Sequence, residues 1–178
     1  MPSSSVIDEE TLSRNVKWHL VLIAVQIGHA KRKRGRARSG YYKLAMLLSA
    51  SVVEALVHAL LVKKLGANGV LFTGRKETFE HTPLPRKFFR DSDEVVICKR
   101  REEILPLSRN PEFVLLNKAC FTQGVFQKRL FNKVETVRKM RNKIHIQGLK
   151  FIDRRYTEGE VKRISTIIDE LLVALNEG

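Results

Sequence analysis

The chain has 178 residues, 43% of them hydrophobic, enough to bury a core and too apolar for a globally disordered polypeptide. Two cysteines, Cys98 and Cys120, exclude a disulfide scaffold and supply no metal-ligand spacing, so a reducing, cytoplasmic setting is expected. Thirty-three Lys and Arg against nineteen Asp and Glu give a net charge of +14 and favour a polyanion as partner, nucleic acid first.

The first fifteen residues are polar and contain no secretory signal. A first helix is predicted over residues 8–29, opened by acidic residues that suit a helix N-terminus. Its apolar positions Leu12, Val16, Leu20, Ile23 and Ile27 recur at helical spacing. Residues 31–40, KRKRGRARSG, then read as a basic connector with two glycines. A second helix is predicted over residues 41–65, apolar almost all round and stopped by Gly66. Its stretch over residues 44–62 is long and apolar enough to raise the question of a membrane span. Glu54 and His58 in the middle, and the interspersed alanines and serines, point instead to the central helix of a bundle. No membrane association is expected.

Residues 67–110 change character: Gly, Pro and Asp cluster, and the apolar residues come in short runs. The expectation is an insertion between helix pairs. Within it EVVICKRREEILPL, residues 94–107, reads as two short strands about a charged turn, or a strand and a loop. Helical signal returns at Pro111 with PEFVLLNKACF, a proline-started helix. A fourth helix follows Gly124, with Phe126, Leu130, Val134, Val137 and Ile144 facing inward. The last begins at Thr157, where Thr157 and Glu160 have capping-box spacing. It carries Val161, Ile164, Ile167, Ile168, Leu171, Leu172 and Leu175. The whole reads as a single all-α domain, an up-and-down bundle of four to five helices with a short β-hairpin or loop insertion.

On the fourth helix VRKMRNKIHIQG sets Arg138, Arg141 and His145 at i, i+3 and i+7, which share one face. Asn142 lies beside them, and Lys139 and Lys143 flank the group. Three charged or chargeable groups on one stripe repel each other, so the arrangement calls for a solvated face or an anionic partner. Glu54, on the apolar second helix, needs a cationic partner, with Arg138 or Arg141 the natural candidates and His58 at i+4 the local alternative. Lys31, Arg32, Lys33, Arg34, Arg36 and Arg38 are a solvated loop or a track for an RNA backbone. His19, His29 and His81 have no ligand spacing and read as structural or surface residues. The two cysteines read as packing residues.

An arginine and asparagine followed closely by a histidine, on the penultimate helix of a small all-α protein, resembles the HEPN superfamily, whose third core helix bears an R-x4-6-H signature. SASVVEALVHALL, with its mid-helix Glu54, is similar to an apolar helix found in many members. Six residues separate Arg138 from His145, the long end of that range, and three separate Arg141 from it, one short, so either Arg138 is the signature arginine or Arg141 serves with the histidine one position early. The resemblance implies RNA cleavage without metal or cofactor, at a composite site where two protomers of a homodimer join their motif helices. His145 would be base or acid, Arg141 or Arg138 the clamp on the transition state, Asn142 an orienting partner and Glu54 a support for an arginine. Lys139 and Lys143, with the basic run, would hold RNA. A toxin or phage-defence effector is the implied setting, with a small acidic antitoxin or regulatory protein as a further partner. The alternative is a non-catalytic helical module that binds RNA or nucleotide, or a dimeric interaction protein.

Overall fold

Gly35–Leu65 is the helix on which the others are assembled, and its composition explains why. Tyr42, Ala45, Met46, Ala50, Val53, Leu56, Val57, Leu60 and Leu61 are all buried, so it is covered on more than one side. In the computed structural model, which describes residues 9–66, 68–83, 94–107, 111–144 and 155–177, the chain is mostly helical. The elements in order are α1 (Glu9–Lys31), α2 (Gly35–Leu65), β1 (Val70–Pro83), β2 (Glu94–Pro106), α3 (Phe113–Thr122), α4 (Lys128–Ile144) and α5 (Glu158–Glu177). α1, α3, α4 and α5 all pack on α2.

Burial follows the predicted stripes closely. On α1, Val16 and Ile23 are buried while Leu12 and Ile27 pack partly against the core; Leu20 sits at its edge, 36% exposed. On α4 and just before it, Phe126, Val134, Val137 and Ile144 are buried and Leu130 is half-buried. On α5, Val161, Ile164, Ile167, Ile168 and Leu171 are buried. Each such side chain is worth about 1.5–3 kcal/mol in removal of apolar surface from water. α2 is the only helix among the described residues long and apolar enough to cross a membrane, and 56% of its apolar window is buried inside the protein.

Two of the predicted helix-end signals are realised in detail, whereas Pro111 stands before the N-cap Glu112 of α3 and not in its first turn. Gly66 stops α2 with φ of 79°, its N–H donating to the Val62 carbonyl at 2.8 Å. At α5, Glu160 N–H donates to Thr157 Oγ1 at 3.4 Å and Thr157 N–H donates to Glu160 Oε2 at 3.0 Å, the reciprocal pair of a capping box.

Two expectations change. The basic stretch is not a ten-residue connector: helix resumes at Gly35, and only residues 32–34 break it. Arginine and alanine are strong helix formers, and a positive φ of 58° at Gly35 makes the corner in little space. The strands of the insertion are also longer than expected. β1 and β2 form one antiparallel pair from Val70 opposite Pro106 to Pro83 opposite Glu94, with an irregularity between Phe72 and Gly74. CKRREE, expected as a turn, therefore lies inside a strand. Three cations followed by two acids need no turn: in an antiparallel pair the cross-strand hydrogen bonds satisfy the backbone whatever the side chains are. The ribbon is closed onto the helices at its base, where Leu107 N–H donates to the Gly69 carbonyl at 3.0 Å.

Candidate functional site

The last two turns of α4 face a cleft of about 250 Å³ bounded by α2 and the start of α3, and Glu54, Glu112, Phe113, Arg138, Arg141 and Asn142 line it. Val134, Val137 and Ile144 anchor α4 in the core, and this fixes which way the next residues round the helix point. Arg138 and Arg141, three residues apart, therefore reach the same opening from adjacent turns.

The two arginines are held differently. Arg141 Nη1 lies 2.9 Å from Glu54 Oε2, with both side chains a little over a quarter exposed. This answers the question of the carboxylate on the apolar helix: its partner is Arg141. His58 turns elsewhere, its Nε2 lying 3.3 Å from the Leu107 carbonyl oxygen. Arg138 is gripped in a two-point fork by Glu135, with Nε donating to Oε2 at 2.9 Å and Nη2 to Oε1 at 2.6 Å. Such planar, two-bond pairing fixes a guanidinium in orientation as well as position. Hydrogen bonding from Arg138 holds the Glu135 carboxyl below the usual carboxylate range, and the same contact raises the Arg138 guanidinium further above its ordinary value. Asn117, fully buried on α3, extends the network by donating from Nδ2 to the Phe131 carbonyl at 3.3 Å and to Glu135 Oε2 at 3.5 Å.

Glu135 and Asn117 were not singled out in the sequence. Glu135 had a local signal, since a carboxylate three residues before an arginine on a helix is a standard pairing distance. Asn117 had none, because its role depends on α3 packing against α4.

α3 adds a second electrostatic feature. Glu112 precedes its first turn with extended backbone and no side-chain cap, and Phe113 and Val114 of that turn border the cleft. The positive end of the helix dipole thus adjoins the two arginines. Against these stand Glu54 and Glu112. An anion entering the cleft competes with Glu54 for Arg141, whose guanidinium carries five N–H donors and can serve more than one acceptor.

The other predicted residues distribute as follows. Asn142 lines the cleft and is exposed; Lys143 is exposed, and Lys139 lies 3.8 Å from Glu135. His145 lies outside the described residues. Lys31, Arg32, Lys33, Arg34, Arg36 and Arg38 are exposed at the far end of α2, with Lys31 Nζ 3.7 Å from Glu158. Cys120 is buried, its thiol directed to the Val57 carbonyl, and burial pushes its pKa well up; it is a packing residue. The side chains of Cys98 and His81 fall outside the described residues. Among the described residues no three His, Cys, Asp or Glu side chains converge as metal ligands. Compared with family models, curated proteins and solved structures, the chain matches none.

Proposed function

We propose that the protein is a metal-independent endoribonuclease of HEPN type, a toxin or defence effector acting in the cytoplasm. The observation that carries this reading is the convergence of Arg138, Arg141 and Asn142 on one cleft, with Glu54 orienting Arg141 across it. The frame that suits it is an up-and-down bundle of four to five helices with the β-ribbon inserted between helix pairs.

Cleavage without metal needs a base for the ribose 2′-hydroxyl, an acid for the departing 5′-oxygen and a fixed cation against the charge that grows on the phosphorane. An imidazole titrates in the range that serves as base or acid, and His145 follows Arg141 by four positions. A guanidinium stays charged and binds two phosphate oxygens at once. Arg141, held by one edge to Glu54, is the better candidate for the clamp; Arg138, held by two bonds to Glu135, is the more rigid of the two. The 2′-oxygen attacks phosphorus, the bond to the 5′-oxygen breaks, and the products carry a 2′,3′-cyclic phosphate and a 5′-hydroxyl. In a homodimer with a composite site, one protomer supplies the base and its partner the acid.

The test is RNA cleavage in excess chelator by wild type, His145→Ala and Arg141→Ala. Loss of on the order of 10²-fold or more in either variant is expected for a proton-transfer or charge-stabilising group. Unchanged cleavage by His145→Ala would sink the chemistry.

One observation favours a second reading. Both arginines are already compensated by carboxylates, as in a structural ion-pair network. A non-catalytic RNA- or nucleotide-binding module, or a dimeric interaction protein with an acidic partner, predicts salt-sensitive binding without product and indifference to His145→Ala.

A further inference from the structure

The far end of α2 from the cleft carries a feature that cleavage itself does not use. Arg32, Lys33 and Arg34 are exposed in the break between α1 and α2, and Arg36 and Arg38 follow on the first turns of α2. The break is a tight corner, because Arg32 and Lys33 N–H groups donate to the His29 and Ala30 carbonyls at 3.1 and 3.2 Å. The C-terminal part of the chain returns to this corner. Tyr156 N–H donates to Ser39 Oγ at 2.8 Å, and the Tyr42 hydroxyl donates to Glu158 at 3.3 Å. These contacts bring exposed Arg155 and Lys162 beside cations more than a hundred residues earlier in sequence. Glu158, the acid that faces the corner, is shared between Lys31 at 3.7 Å and Lys162 at 3.2 Å.

Rings are interleaved with these charges. His29, exposed, stacks on Tyr41 with centroids 5.3 Å apart and planes 22° off parallel, and the Arg38 guanidinium lies 5.7 Å from the Tyr42 ring centroid. Cations alone attract any polyanion, an acidic protein included. Cations beside a ring pair with an exposed outer face are the combination that takes unpaired nucleotides, with phosphates on the charges and a base on the ring.

We propose that this corner is an anchoring surface for single-stranded RNA, separate from the cleft, which holds the strand that flanks the reacting phosphate. For the location of that phosphate the inference rests on the proposed cleavage at the cleft. From Arg36 to Glu54 α2 advances eighteen residues, about 27 Å at 1.5 Å per residue, the length of roughly eight stacked nucleotides. An unstacked strand reaches further per nucleotide, so only a di- or trinucleotide is too short to engage both ends of the helix.

The test uses the full chain and the variant Arg32→Gln/Lys33→Gln/Arg34→Gln, whose substitutions lie in an exposed non-helical break. Binding of labelled single-stranded RNA of about twenty nucleotides is measured between about 50 and 200 mM salt. The variant is expected to bind at least about tenfold more weakly, with a log–log salt slope shallower by about 2, from 0.7 for each of three lost phosphate contacts. The defect in cleavage efficiency is expected to disappear for a trinucleotide, too short to span the two sites even when unstacked. An unaltered Kd and slope overturn the proposal, and so does a cleavage defect of equal size for both lengths. Loss of binding in the variant with no cleavage by wild type leaves the anchor standing and removes the nuclease reading. Cleavage by wild type with binding indifferent to the three substitutions removes the anchor alone.

Discussion

Arg138 and Arg141 differ by one turn of helix and by the carboxylate each one meets, and those partners set what each can do. Glu135 is on the same helix, three residues away, so its fork to Arg138 forms as soon as α4 does. Its carboxyl is held below the usual range by that contact. A carboxyl depressed on folding adds stability above its unfolded value, about 4.3 for glutamate, and that increment is lost as pH falls through the lower folded value. Glu135→Gln is therefore expected to cost about 1 kcal/mol at neutral pH, with the gap to wild type closing as pH drops below about 4; urea unfolding at a series of pH values measures it. A gap that widened on acidification would mean the pair does not hold Glu135 ionised. The Arg141–Glu54 contact joins two helices, and the sequence left its arginine open between two candidates. The lone carboxylate on an apolar helix announced that a cation must come to it; which cation came depends on how α4 is rotated against α2.

Among the elements, the helices were legible because each carries both a stripe and an end signal: Val134, Val137 and Ile144 on α4, or Thr157 and Glu160 at the start of α5. The insertion was legible, but the length and register of its strands were not, since CKRREE has no alternating apolar face to set a strand and its pairing partner lies some twenty residues away. Its attachment depends on close packing at Gly69, where an added Cβ would meet Leu65 Cβ at 2.7 Å, Leu107 Cδ1 at 2.9 Å and the Gly66 carbonyl oxygen at 3.0 Å. Backbone and a β-carbon cannot swing aside as a long side-chain tip can. Gly69→Ala is expected to destabilise the protein by about 1–3 kcal/mol, read as a lower thermal midpoint, and to loosen the base of β1 in amide exchange. A melting temperature equal to that of wild type would show that the turn relaxes at no cost.

In the molecule as a whole, α2 joins two surfaces of opposite use: a compensated cleft near its middle and a cationic corner at its start. Four helices pack on it, so its side chains carry a disproportionate share of the core. Leu61, fully buried, is expected to cost about 2–5 kcal/mol as Leu61→Ala, seen as a fall in the urea midpoint at unchanged slope. A loss below 1 kcal/mol would mean that neighbouring helices close over the cavity. Periodicity, capping residues and the charge surplus are local or additive properties, so the sequence by itself determined the helices, their inward faces and the cationic surplus. Three things had to wait for tertiary structure: the pairing of Arg141 with Glu54, the burial of Asn117 beside Glu135, and the meeting of Tyr156 and Glu158 with the α1–α2 corner. Each is a contact between residues far apart in the chain, and its existence depends on how whole helices are rotated and packed.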